Sequence, residues 1–139
     1  MLMASNDRKY KRSRSYLASF KHAFCGIKTT LKEERNMKIH VTAAFLVLLF
    51  ATLFQVSKVE WLILLLCIGL VLALETLNTA IERTIDTITT EFLPEAKKAK
   101  DAAAGAVLIM ATISAIIGLT IFIPYFLAII PFIDRSFLV

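Results

Sequence analysis

The apolar positions of this chain gather into three long runs, each meeting polar residues at one end. The first covers about 37–56, with Lys38 and His40 at its polar end, and the second covers about 61–80. The third covers about 102–123 and meets Pro124, which lacks the N–H needed to continue a helix and is expected to end it. A bilayer core of ~30 Å takes about 20 helical residues, so all three runs are predicted to span a membrane. The first two have shorter strictly apolar cores, which puts their polar ends at the interface. Ahead of them, over 15–35, Tyr16, Phe20, Ala23, Phe24, Ile27 and Leu31 recur at helical spacing, while Lys21, Lys28 and Lys32 take other angles. This predicts an amphipathic helix lying in the cytoplasmic interface, its aromatic stripe used for packing or lipid contact. The predicted fold is an all-α integral membrane protein, with one surface helix and three transmembrane helices. A single domain over 14–139 follows a basic tail over 1–13.

One stretch departs from the apolar pattern. The second run ends in Glu75-Thr-Leu-Asn78-Thr79-Ala-Ile-Glu82-Arg-Thr-Ile-Asp86. At about 100° per residue, Glu75, Asn78, Glu82 and Asp86 fall within about 80° of one another, with Leu77 and Ile81 on the opposite side. Residues 61–74 carry no charge. Carboxylates therefore enter a helix near the point where it leaves the bilayer, where they are costly and mark function or pairing. Glu75 lies deepest, with no basic residue near it in sequence.

Composition agrees with the spans. Of 139 residues 58% are hydrophobic, and the mean hydropathy of +0.71 is too high for an ordinary soluble domain. The length allows one compact unit. Charge adds an orientation. Of 16 Lys and Arg residues, ten lie in 1–40 and four in 83–100; the remaining two are Lys58 and Arg135. The positive-inside rule then puts the N-terminus and the 83–101 loop in the cytoplasm and the C-terminus outside. Trp61, at the outer end of the second span, fits an aromatic belt. The first apolar run begins too late for a signal peptide.

Other chemistry is thin. Arg8-Lys9-Tyr-Lys11-Arg12-Ser-Arg14 reads as a disordered polybasic tail on anionic lipid rather than a nucleic-acid arm. Cys25 and Cys67 lack metal-ligand spacing and read as packing residues. Neither the GxxxxGK[ST] nor the GxGxxG phosphate loop occurs.

The topology brings the polar groups to one membrane face. Glu34 precedes span one, the row from Glu75 to Asp86 ends span two, and Lys100-Asp101 precede span three. A cluster of Glu34, Glu75, Glu82 and Asp101, with Asn78 and Lys100 nearby, suits Mg²⁺, a hard cation that takes oxygen ligands and bridges phosphates. One carboxylate would then remain as a general base. The same residues also suit an ion-pair network of Glu34 with Lys38, Glu82 with Arg83 or Lys98, and Asp101 with Lys97. Small residues four apart in span three, Ala111/Ala115 and Ser114/Gly118, allow close helix approach. Three spans make a thin bundle, so a homo-oligomer with sites between subunits is expected.

The row from Glu75 to Asp86, followed by Ala99-Lys100-Asp101-Ala-Ala-Ala-Gly105-Ala106-Val107, resembles the signature of the small prokaryotic diacylglycerol kinases. Glu34-x-Asn36-x-Lys38-Ile39-His40, Glu60-Trp61 and the Ile117-Gly118-Leu119 run before Pro124 resemble its Gram-positive branch, which phosphorylates undecaprenol. The resemblance covers about 16–126. It implies a homotrimeric enzyme of the bacterial plasma membrane, working with Mg²⁺ and ATP on a lipid alcohol. It makes Glu75 the general base and gives Glu34 and Glu82 to Mg²⁺ and the ATP phosphates. Asn78, Lys100, Asp101 and His22 would contact the nucleotide; Ser15 lies near that group but is left out. His40 and Asn36 would face the lipid substrate, His40 standing where the diacylglycerol kinase branch has an acid. Leu93 departs from the histidine common among relatives, and the tail over 125–139 runs past where many relatives end. The alternatives are a diacylglycerol kinase and a small channel or proton carrier. Against a channel, the acids sit at one leaflet, and spans one and three have no ionisable residue at mid-depth.

Overall fold

The computed structural model describes residues 15–89 and 91–136, and the basic tail lies outside that range. Among the described residues the chain forms four helices: α1 (Tyr16–Glu33), α2 (Arg35–Leu53), α3 (Lys58–Ile88) and α4 (Pro94–Ser136). The last three are long and apolar enough to cross a membrane. α4 packs most extensively on α3, α2 less so, and α1 touches α2 and α3 lightly.

The joints follow from local chemistry. Glu34 alone separates α1 from α2; its extended backbone (φ −89°, ψ 127°) turns the chain, while its N–H still donates to Thr30 O at 2.9 Å. α2 ends in a left-handed cap. Gln55 has φ 51°, its N–H donates to Thr52 O (3.2 Å), and the Val56 N–H donates to Ala51 O (3.2 Å). This two-bond pattern satisfies carbonyls a helix end would orphan, and the apolar contact that accompanies it is supplied by Ala51 and Val56, both buried. α3 starts at once with a capping box. The Glu60 N–H donates to Ser57 Oγ (3.3 Å), and the Ser57 N–H donates to Glu60 Oε2 (2.7 Å). Pro94 opens α4, where its missing N–H costs nothing.

The core sits at the α2–α3 turn. Ala51, Val56, Leu64 and Phe122 are buried together, with Phe50, Phe54, Trp61 and Tyr125 packed around them. The rings of Phe54 and Tyr125 stack at 5.8 Å, and Phe126 meets Phe54 edge-on at 4.7 Å. The Tyr125 hydroxyl donates to Glu60 Oε2 at 2.9 Å, tying α4 to the α3 cap.

One expectation changes. Pro124 does not stop the third span, because α4 continues to Ser136. A proline removes one N–H, and packing partners offset that loss in membrane helices; here Phe122, Tyr125 and Phe126 flank it and hold the segment to Phe50 and Phe54. The helix of the second span continues past residue 80 through the acid row, as the shared face of Glu75, Asn78, Glu82 and Asp86 requires. α3 runs unbroken for 31 residues, ~46 Å at 1.5 Å per residue, so its acid-bearing end outruns the ~30 Å hydrocarbon layer.

Gln55 is the described non-glycine residue with positive φ. Gln55→Gly is expected to stabilise the fold by about 1 kcal/mol, because only the side chain strains that conformation. Thermal unfolding in detergent checks this; a lower midpoint would show that the Gln55 side chain makes up for the strain.

Candidate active site

The helix that carries the acids keeps its geometry by returning side-chain hydroxyls to its own carbonyls. Thr76 Oγ1 donates to Leu72 O (2.8 Å), Thr79 Oγ1 to Glu75 O (3.0 Å) and Thr84 Oγ1 to Ala80 O (2.7 Å). No threonine in this stretch leaves a bare donor in a low-dielectric setting. The polar residues of α3 that are most enclosed are Glu75 (2% exposed), Thr79 and Asn78.

Glu75 stands at the centre. No hydrogen bond or ion pair from another described side chain reaches its carboxylate, and it lies within electrostatic reach of His40, Glu82 and Glu34. Asn78 donates from Nδ2 to Glu82 Oε1 at 3.2 Å, while its buried Oδ1 has no partner among the described residues. Glu34 is half-buried and accepts from Arg83 Nη2 at 3.2 Å; the same nitrogen lies 2.9 Å from Glu33 Oε2. His40 lines the edge of a cavity of about 270 Å³ between α2, α3 and α4, whose walls include Ala44, Leu64, Cys67, Ala111 and Ser114.

The structure thus brings together Glu34, His40, Glu75, Asn78 and Glu82. Lys100 and Asp101 are engaged elsewhere within the chain: Lys100 pairs with Asp86 across α3 and α4, and Asp101 pairs with Lys97 one turn away. His22, on α1, and Asn36, in the first turn of α2, are exposed. Of the ion pairs expected from sequence, Lys97–Asp101 forms; Glu34 takes Arg83 rather than Lys38, Glu82 takes Asn78, and Lys98 takes Glu95. Sequence reasoning missed the Arg83 clasp. Its partners lie 49 and 50 residues away, and the adjacent Glu82 was the obvious but wrong one.

The donor set is oxygen-rich. Among the described residues no group of three or more His, Cys, Asp or Glu side chains is poised around a metal. That is compatible with Mg²⁺, which is commonly held by one or two carboxylates together with substrate phosphates rather than by an all-protein cage.

Comparison with known proteins gives this acid cluster a context. The family model described as prokaryotic diacylglycerol kinase matches residues 21–122. The chain belongs to that family. The undecaprenol kinase of Bacillus subtilis is 50% identical over 122 residues, which cover 88% of this chain and 98% of that protein. The diacylglycerol kinase of Synechocystis sp. is 37% identical over 109 residues, or 78% of this chain and 62% of that protein. A Helicobacter pylori diacylglycerol kinase is 37% identical over 84 residues, or 60% of this chain and 66% of that protein. Every candidate residue from His22 to Asp101 lies inside the stretch matched to the prokaryotic diacylglycerol kinase family.

Proposed function

We propose that this chain is an ATP-dependent undecaprenol kinase that makes undecaprenyl phosphate at the cytoplasmic face of the bacterial membrane. The observation that carries the reading is Glu75, a buried carboxylate without a partner among the described residues at the polar end of a membrane-spanning helix, in a chain half identical to an undecaprenol kinase over nearly that protein's whole length. A polyprenol keeps its chain in the bilayer and its hydroxyl at the interface, while ATP stays in water. Glu75 sits where the two meet. It takes the proton of the lipid hydroxyl as that oxygen forms a bond to the γ-phosphorus and the bond from phosphorus to the ADP oxygen breaks. Such transfers depend chiefly on positioning and charge neutralisation. Glu34 and Glu82 would hold Mg²⁺ together with the phosphates, where the ion would supply charge neutralisation. Asn78, Lys100, Asp101 and His22 contact the nucleotide, and His40 and Asn36 face the lipid.

The assembly we infer is a homotrimer. The buried Asn78 Oδ1 lacks a partner among the described residues, the spanning helices expose Phe45, Leu62, Leu66, Leu108 and Ile116, and α4 carries paired small residues suited to close helix approach. α1 exposes Tyr16, Phe20, Phe24 and Ile27 and lies in the cytoplasmic interface on lipid.

Offered undecaprenol and diacylglycerol at equal mole fraction in detergent with labelled ATP, the protein is expected to phosphorylate undecaprenol faster. Faster labelling of diacylglycerol would make it a diacylglycerol kinase with the same site. Glu75→Gln is expected to lower turnover 10²- to 10⁴-fold with Mg·ATP binding kept, whereas Glu34→Gln and Glu82→Gln weaken that binding too. Near-normal turnover in Glu75→Gln would remove it as the base. Native mass measurement in mild detergent is expected to give three chains, and reporter fusions after residues 88 and 139 should report opposite sides of the membrane. An active monomer, or both reporters on one side, would contradict this arrangement.

A further inference from the structure

Glu34 is held in an unusual way. It is the single extended residue between two helices, and as the N-cap of α2 its side chain makes no capping bond to that helix. Its carboxylate turns toward α3 instead, where Arg83 Nη2 meets Oε1 at 3.2 Å. The other oxygen, Oε2, accepts no hydrogen bond from a described residue. The same nitrogen of Arg83 lies 2.9 Å from Glu33 Oε2. Among the described residues these are the ion pairs that join the α1–α2 elbow to α3.

The charges matter as much as the distances. A lone arginine on Glu34 would cancel the negative charge that a cation needs. Glu33 cancels the arginine instead, so Glu34 is oriented while the group of three keeps one net negative charge. All three side chains are partly exposed, at 44% for Arg83, 57% for Glu33 and 30% for Glu34, and pairs of this kind add little to fold stability. Their use is directional: they hold Glu34 against α3, within electrostatic reach of Glu75.

We propose that Arg83, anchored by Glu33, is a positioning residue for the metal–nucleotide site, fixing one oxygen of Glu34 so that the other is presented to Mg²⁺. This rests on the reading of Glu34 as a metal ligand and adds how that ligand is held. Partners that orient a metal ligand typically affect metal affinity 10- to 100-fold.

The test is calorimetric titration of the purified full chain in detergent with Mg²⁺ and a non-hydrolysable ATP analogue. Arg83→Ala is expected to weaken binding about tenfold, the lower end of that range, with little change in thermal midpoint. Arg83→Lys, which keeps the charge, should recover part of the loss. Glu33→Gln should weaken binding in the same direction, because the arginine loses its anchor and draws on Glu34. In a Glu34→Gln background, Arg83→Ala should change nothing further. In turnover assays, KM for Mg·ATP should rise with KM for the lipid unchanged. Unaltered analogue binding in Arg83→Ala would overturn the proposal, as would an equal further loss in the Glu34→Gln background. Binding is read without any lipid. A wild-type chain that binds the analogue but phosphorylates no lipid alcohol would therefore count against the kinase reading alone.

Discussion

Everything at the site depends on keeping one carboxylate inside an apolar helix bundle. A buried charge without a partner is expensive, and Glu75 is 2% exposed with no described side chain bonded to its carboxylate. Its surroundings do not offset that cost. Threonine hydroxyls bond back to the α3 backbone and leave no competing donors. Asn78 turns its amide nitrogen to Glu82, one turn further toward water. The negative charges of Glu34 and Glu82 stay close enough to act on Glu75 without touching it. A group arranged in this way is available for proton transfer, which is the task the kinase reading gives it.

The opposite end of the bundle is built for rigidity. The left-handed cap at Gln55, the capping box at Ser57 and Glu60, and the Tyr125 hydroxyl on Glu60 follow one another within a few residues in space. Phe50, Phe54, Phe122 and Phe126 fill the volume around them. Edge-on and stacked aromatic pairs each contribute about 0.5–1.5 kcal/mol beyond their burial. With α2, α3 and α4 tied here, the polar end can stay open, and the cavity beside His40 lies between helices already fixed at the other end. The segment after Pro124 thereby gains a structural role: Tyr125 and Phe126 belong to this lock.

The sequence by itself determined the helical class, the three spans and the row of acids. Each follows from periodicity and from the cost of polar groups in hydrocarbon, which act along a single helix. The family match covers residues 21–122, which include the first two spans, the acid row and most of the third span. Tertiary structure decided the rest. Pro124 does not end its helix, because whether a helix continues depends on what packs beside it, and the aromatic partners of α4 come from α2, more than 65 positions earlier in the chain for Phe54 and Phe122. Which acid pairs with which base was also undecidable from spacing. Lys38 lies one turn from Glu34 in sequence, yet Arg83 reaches it across the bundle because the extended backbone of Glu34 turns the carboxylate toward α3. Charge and hydrophobicity are properties of residues and can be read in order, whereas the direction of a side chain at a helix joint is set by its neighbours in space.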